Sequence, residues 1–406
     1  MEVAGDNLVE APNPIHGDIL ESIFNHVPLI DLVPATYVSK SWKFAVSTSL
    51  QEGAGGRRRR SKYRIKPWLL IYSQTTRFPH STTAHAYDPR SHVWVQIHQP
   101  SIKFVSALRS SHSTLLYMLS PSIFSFSYDP LHLTWHHIKA PLMWRTDPIV
   151  AMVGKRIVIA GGTCHFEDDP LACEMYDLET SEWETCESMP AIFRESAAPT
   201  WLSVAVNSNK NKMYVVEKST GVAYSFDPSI KAWHGPHHLR PHTITSICRY
   251  FIGFANNDRL ILVGITGDDD IESVKLWEVD CESPEILRDI GEMPKQLVDK
   301  MKVRGDDGMG FDMSTWSSIS VSLMDDFVYI YSSSDGGGSI IMCEIGGGDE
   351  SSADNWSSVV SMNAGNDVDR YRLTNRIVLA CSKVGLDDLD KAIMSKSRKF
   401  STRDIM

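Results

Sequence analysis

The sequence predicts a small all-α module followed by an all-β propeller of six blades, and three observations carry that reading. Apolar residues between positions 13 and 50 recur at helical spacing, whereas beyond residue 66 they form strand-length runs separated by turn residues. An aromatic-Asp dipeptide followed by Trp recurs at a period of roughly fifty residues through that second part. The composition, 406 residues with 42% hydrophobic and 22% charged, supplies a sizeable core and excludes collagenous, coiled-coil and wholly disordered chains.

In the first segment, residues 13–50, Ile19, Leu20, Ile23, Phe24 and Val27 make an apolar stripe on one helix, which Pro28 ends. Asp31 is placed to cap a second helix, Pro34 suits its first turn, and Val38, Trp42 and Val46 repeat at four-residue spacing beyond it. Two or three short helices of this kind bury too little apolar surface to be robust alone. The pattern leaves two outcomes open: a hairpin packed on the following domain, or a helical module that binds a partner.

The run Ile-His-Gly-Asp-Ile-Leu-Glu at 15 to 21, with Val27-Pro28, Asp31-Leu32 and Val38-Ser39-Lys40 ahead of Trp42, resembles the F-box. That motif docks on the Skp adaptor of cullin-RING ubiquitin ligases. The family usually opens on Leu-Pro, where this chain has Ile15-His16. The resemblance implies that Ile15, Ile19, Leu20, Ile23, Pro28, Leu32, Val38 and Trp42 either contact the adaptor or hold the helices together, and does not separate the two roles.

Residues 51–66 read as a flexible basic linker. Gly53, Gly55 and Gly56 lead into Arg57 to Arg60, Lys62, Arg64 and Lys66, seven positive charges in ten residues. A solvated like-charged linker is the common meaning of such a run, and nuclear import its functional one.

From 67 to 382 the chain repeats. Tyr87-Asp88, Tyr128-Asp129, Tyr176-Asp177 and Phe226-Asp227 each have a Trp seven positions after the aromatic: Trp94, Trp135, Trp183 and Trp233. The aromatic ends one strand, Asp and often Pro (Pro89, Pro130, Pro228) start a turn, and the Trp lies on the next strand, where it packs between sheets. Lys155 to Ala160 reads as a strand ending in Gly161-Gly162, a place for backbone rather than side chain. Strand, Gly-Gly, Tyr-Asp and Trp in that order resemble a kelch repeat. Degenerate copies fall at Trp277 to Asp280 and at Cys343 to Ile345 with Trp356, which gives about 53 residues per unit and six blades, five or seven remaining open. A propeller must close to avoid unpaired edges, and Arg376 to Cys381 is the strand available to pair with Trp68 to Tyr72. Residues 383–406 read as a mobile or weakly helical tail.

Little in the chain suggests chemistry of its own. The net charge of −10 argues against a nucleic-acid or anionic-membrane partner. Seven scattered cysteines without a CxxC fit reduced thiols in the cytosol or nucleus, and the acidic, proline-interrupted start lacks the pattern of a secretory signal. His234, His237, His238 and His242 cluster in what reads as a Pro-rich loop, with no cysteine or paired carboxylate to complete a zinc site. Glycine runs at 336 to 338 and 346 to 348 lack a following Gly-Lys-Ser/Thr, and no Gly-x-Ser-x-Gly elbow is present. The expectation is a non-catalytic protein without metal or cofactor.

Recognition belongs to the variable loops that rigid blades hold out. In the loop after each Trp a basic residue follows, Lys103, Arg145, Arg194, Arg240 and Lys295, and these would form a positive ring if the loops converge. An F-box followed by kelch repeats resembles the plant F-box/kelch family, which implies a substrate receptor: the helices dock the Skp adaptor and the propeller holds a target for ubiquitination and degradation. The opening residues and layout look most like members that target enzymes of flavonoid and phenylpropanoid synthesis, chalcone synthase first and phenylalanine ammonia-lyase second. The rival readings are a kelch scaffold without ubiquitin transfer and a propeller enzyme.

Overall fold

The computed structural model describes residues 17–50, 65–75, 82–98, 108–162, 168–241, 247–267, 270–281, 286–302, 319–332, 339–346, 355–359, 375–394 and 399–403. The basic run at Arg57 to Arg60 lies outside them.

The first segment forms three helices: α1 (Asp18–Asn25), α2 (Leu29–Ala35) and α3 (Lys40–Ser49). Pro28 caps α2, so Asp31 falls in its first turn and Pro34 near its end, one turn later than the sequence suggests. Ser39 begins α3 by accepting the Trp42 backbone N–H at 3.1 Å, which leaves Val38 in the turn ahead of that helix.

Six sheets follow. The first blade starts with β1 (Pro67–Thr75), β2 (Thr82–Asp88) and β3 (Val93–His98). Blade 2 holds β4 (Arg109–His112), β5 (Leu115–Leu119), β6 (Ile123–Ser127) and β7 (His136–Lys139), and blade 3 holds β8 (Ile149–Val153), β9 (Arg156–Ala160), β10 (Cys173–Asp177) and β11 (Glu182–Thr185). Blade 4 comprises β12 (Leu202–Asn207), β13 (Lys212–Glu217), β14 (Val222–Asp227) and β15 (Ala232–His238), and blade 5 β16 (Ile247–Ala255), β17 (Arg259–Thr266), β18 (Ser273–Val279) and β19 (Ile286–Glu292). After a short helix, α4 (Lys295–Met301), blade 6 is built from β20 (Ile319–Met324), β21 (Phe327–Ser332), β22 (Ser339–Glu344) and β23 (Trp356–Val359). The chain then returns to its start: β24 (Asn375–Lys383) pairs antiparallel with β1, Trp68 opposite Ser382 and Tyr72 opposite Val378, and becomes the innermost strand of blade 1. The ring closes with the strand pair that the sequence singles out.

Strands alternate in direction within each blade. The first-to-second and third-to-fourth hairpins therefore open on one face, and the second-to-third turns and blade-to-blade connections on the other. The helical module sits on the first of these, the near face; the second is the far face.

In the segment 383–406, expected as a mobile or weakly helical tail, the described residues are built into the fold. α5 (Leu386–Met394) buries Leu389 and Ala392 completely, and β25 (Lys399–Arg403) adds to β3 as a fifth, outermost strand. The acidic residues Asp387, Asp388 and Asp390 make this stretch look solvated, but Leu386, Leu389, Ala392 and Ile393 fall on one side of the helix, and Met394 at its end is exposed.

The aromatic-Asp-Trp repeat has a direct structural meaning. Tyr87 and Trp94, Tyr176 and Trp183, and Phe226 and Trp233 are facing residues on adjacent strands, and Cys343 faces Trp356 in blade 6. Blade 2 departs: its equivalent pair is Phe126 and His136, while Tyr128 and Trp135 lie in a longer hairpin outside the ladder. Trp94 is fully buried, but Trp183 and Trp233 are only half-buried and use their indole N–H groups to bridge blades. Trp183 donates to the Lys139 carbonyl of blade 2 at 2.9 Å, and Trp233 to the Glu187 carbonyl behind blade 3 at 3.1 Å. At the double glycine both residues have positive φ, and a Cβ on Gly161 would lie 2.6 Å from the Ala197 carbonyl, so backbone does fill that space.

Candidate adaptor and target surfaces

The helical module and the propeller share one apolar core. Leu20, Phe24, Leu32 and Val46 from the helices, Trp68 and Tyr72 from blade 1, Leu131 and Leu133 from blade 2, and Leu389 from α5 pack in a single cluster, with Trp42 and Trp135 against its edge. Both outcomes left open by the helical pattern therefore hold at once: the module is packed on the following domain, and it keeps apolar side chains to spare.

That packing divides the residues that sequence could not. Of the eight adaptor candidates, Ile15 lies outside the described residues. Leu20 and Leu32, at 3% and 0% exposure, face the shared core, and Trp42 is half-buried with its ring edge-on to Phe24 at 5.2 Å. Pro28 is half-buried as the α2 cap. Ile19 and Ile23, 65% and 44% exposed and one turn apart on α1, point away from the core, as does Val38 at 60%. Two further exposed residues, Tyr37 and Phe44, were missed, because neither falls on the apolar period that marks the core. Lys40 and Lys43 are exposed beside Phe44 on α3.

A polar clamp holds the module in place. Asp88, 1% exposed at the end of β2, accepts the Leu29 backbone N–H at 3.3 Å, and also the Arg90 N–H and Ser91 hydroxyl of its own turn. Arg90 donates to the carbonyls of Phe24 at 2.9 Å and Val27 at 3.3 Å, at the end of α1. Cationic donors at the C-terminal carbonyls of a helix also complement its dipole. On the other side Tyr37 donates to the Asp390 carboxylate of α5 at 2.8 Å, and His132 of blade 2 bonds the Asp388 carbonyl at 3.0 Å. The Asp of an aromatic-Asp turn thus serves here as the anchor of the helical module.

The five basic residues expected to form a ring meet different fates. Lys103 lies outside the described residues, while Arg194, Arg240 and Lys295 are exposed. Arg145 is 1% exposed and is corrected to a structural residue: it pairs with buried Glu174 at 2.7 Å and donates to the carbonyls of Gly161 and Ala172. Glu174 also accepts the Leu142 and Met143 N–H groups at 2.8 and 3.3 Å, so the pair stitches the loop from blade 2 to the double glycine of blade 3. A buried Arg and a surface Arg look alike in sequence; the partner Glu174, 29 positions away, carries no spacing signal. The far face exposes Leu142, Ile192 and Trp201, apolar groups suited to a protein partner.

The histidine cluster is also placed differently from expectation. His234, His237 and His238 lie on β15, the outer strand of blade 4, rather than in a loop, and His242 lies outside the described residues. Among the described residues no group of three His, Cys, Asp or Glu side chains is arranged to hold a metal. No described helix is long and apolar enough to cross a membrane.

Comparison with known proteins agrees with this architecture. A family model described as the F-box domain matches residues 17–50. Over 402 residues the chain is 41% identical to the F-box/kelch-repeat protein At1g23390 of Arabidopsis thaliana, and the match covers 97% of this chain and 96% of that protein.

Proposed function

Because this chain belongs to the F-box/kelch-repeat family, whose F-box implies Skp binding and an SCF substrate-receptor role, we propose how its two faces divide that task. Ile19, Ile23 and Val38, with Tyr37 and Phe44, contact the Skp adaptor and through it the cullin-RING ligase. Leu20, Leu32 and Trp42 act indirectly, by holding the helices to the propeller. The observation that supports this division is the exposure of five large apolar side chains on a 34-residue module whose other large apolar residues pack into a shared core or against its edge. The far face, with Arg194, Arg240 and Lys295 around Leu142, Ile192 and Trp201, receives the target protein.

For the target we propose an enzyme of flavonoid or phenylpropanoid synthesis, chalcone synthase first and phenylalanine ammonia-lyase second. This rests on the resemblance of residues 15 to 21 and of the overall layout to members with such targets. The test is co-precipitation of each purified enzyme with the full chain and with a Trp201→Ala/Arg240→Ala variant. Capture by the wild type alone supports the assignment. No capture of either enzyme removes these targets, and capture unaffected by the substitutions moves the target site off the far face. A scaffold without ubiquitin transfer is the outcome if the adaptor does not bind.

A further inference from the structure

The inner strands of blades 1, 2, 4, 5 and 6 line a cavity of about 320 Å³, at the small end of the range for small-molecule pockets. Its lining alternates apolar side chains with hydroxyls, among them Ser110, Ser203, Ser320 and Ser322, joined by His112 and Lys218, and the lining residues include no carboxylate. Two hydroxyls of the lining are turned into donors by their surroundings. The Ser203 oxygen already accepts the Ile252 N–H at 3.1 Å, and the Ser113 oxygen the Leu323 N–H at 3.2 Å, so each has its hydroxyl proton left to give.

Lys218 sits at the far-face end of this cavity, in the turn after β13. Its ammonium donates to the carbonyls of Pro199 at 2.7 Å and Thr200 at 3.0 Å and lies 5.3 Å from the Phe251 ring centre. An ammonium has three donors, and neutral carbonyls do not cancel its charge. The charged group it feels is another cation, Arg249 at the start of β16, and burial together with that neighbour pulls Lys218 down to about 8. Arg249 bonds the Cys248 carbonyl at 2.9 Å and stands behind Lys218, outside the cavity lining itself. In a chain with a net charge of −10, two neighbouring cations with no carboxylate paired to them among the described residues, beside a cavity that carries the Ser203 and Ser320 hydroxyls, suit negative charge.

We propose that the far-face mouth of the central channel binds a compact, dissolved anion bearing phosphate or carboxylate groups, held by Lys218 and Arg249 and by the channel hydroxyls of Ser203 and Ser320. This does not depend on the receptor reading, since the site shares no residue with the F-box. It would place a small ligand directly beside Trp201, within the surface assigned to the target, where its presence would alter target binding.

The test is calorimetric titration of the full chain with pyrophosphate and, separately, with citrate, in buffer of matched ionic strength. Saturable one-to-one binding of either probe is expected, and the one that binds sets the ligand chemistry. Arg249→Met and Lys218→Met should each weaken it at least tenfold, and Ser320→Leu, which fills the channel, should abolish it. Lys155→Ala, in an exposed turn on the near face and outside the cavity, should leave it unchanged. Because Lys218 also secures the Pro199 to Thr200 turn, Arg249→Met and Ser320→Leu carry the test if Lys218→Met misfolds, with adaptor binding as the control for intact fold. Absence of binding to both probes, or binding that survives Arg249→Met and Ser320→Leu, would overturn the inference.

Discussion

Replacing Arg145 by Met removes the positive half of a pair in which both side chains are almost fully buried, at 1% and 3% exposure. The loss can be worked from its contacts. Glu174 keeps the Leu142 and Met143 N–H groups but loses its ionic partner at 2.7 Å, the Gly161 carbonyl loses the Arg145 donor, and the Ala172 carbonyl keeps only the Gly161 N–H among the described residues. Breaking a buried ion pair from one side costs about 3–5 kcal/mol, and the two remaining N–H bonds to Glu174 set the expectation near the lower end, about 3 kcal/mol. The double variant Arg145→Met/Glu174→Leu removes both charges and should recover about 1–2 kcal/mol of that loss, the rest remaining because two loop N–H groups are left without an acceptor. Urea unfolding followed by tryptophan fluorescence provides the comparison. A loss below about 1 kcal/mol for Arg145→Met would refute the buried clamp and return Arg145 to the surface ring.

Three further outcomes follow from the same contacts. Asp88→Ala removes the acceptor for Leu29 N and two turn donors, and should cost about 2 kcal/mol while raising hydrogen exchange in α2; unchanged exchange there would contradict the anchoring role. Trp183→Phe should cost about 1 kcal/mol through the lost bond to Lys139, and Trp183→Ala about 2 rather than the 3–5 typical of a fully buried Trp, because the side chain is half-exposed; urea midpoints measure both. Ending the chain after Lys383 removes α5 and β25, and should lower the melting temperature and expose the α2 surface to protease; a truncated chain as stable as the full one would show that these elements contribute nothing.

The larger architecture was legible in the sequence because it is written in local spacing. A seven-residue interval between an aromatic and a Trp encodes a hairpin, and its recurrence encodes the blades; even the closing strand at 376 to 381 could be identified by the need to leave no edge. Blade 2 shows where such counting fails, since Tyr128 and Trp135 keep the interval while the ladder pairs Phe126 with His136 in a longer hairpin. The candidate sites were less legible, because their residues are sorted by long-range contacts. Leu20 and Ile19 are neighbours in one helix, and only the presence of Trp68, Tyr72 and Leu389 beneath the helix makes one core and the other surface. Arg145 became structural through Glu174, and α5 became part of the fold through α2, partners that no periodicity links. Tyr37 and Phe44 escaped notice for the opposite reason: exposed apolar residues break the core pattern instead of following it.

The central claim is that the F-box helices carry two sets of apolar residues, one outward for the adaptor and one inward for the propeller. Titration calorimetry of purified Skp adaptor against the wild type, Ile19→Asp/Ile23→Asp and Leu20→Ala, each checked for thermal unfolding, tests it directly. The outward pair should lose adaptor binding with an unfolding profile like the wild type, because charge would enter an apolar contact without touching the shared core. Leu20→Ala should lose about 2–4 kcal/mol of stability while folded molecules still bind. Adaptor binding by Ile19→Asp/Ile23→Asp as tight as by the wild type would contradict the division of the two faces.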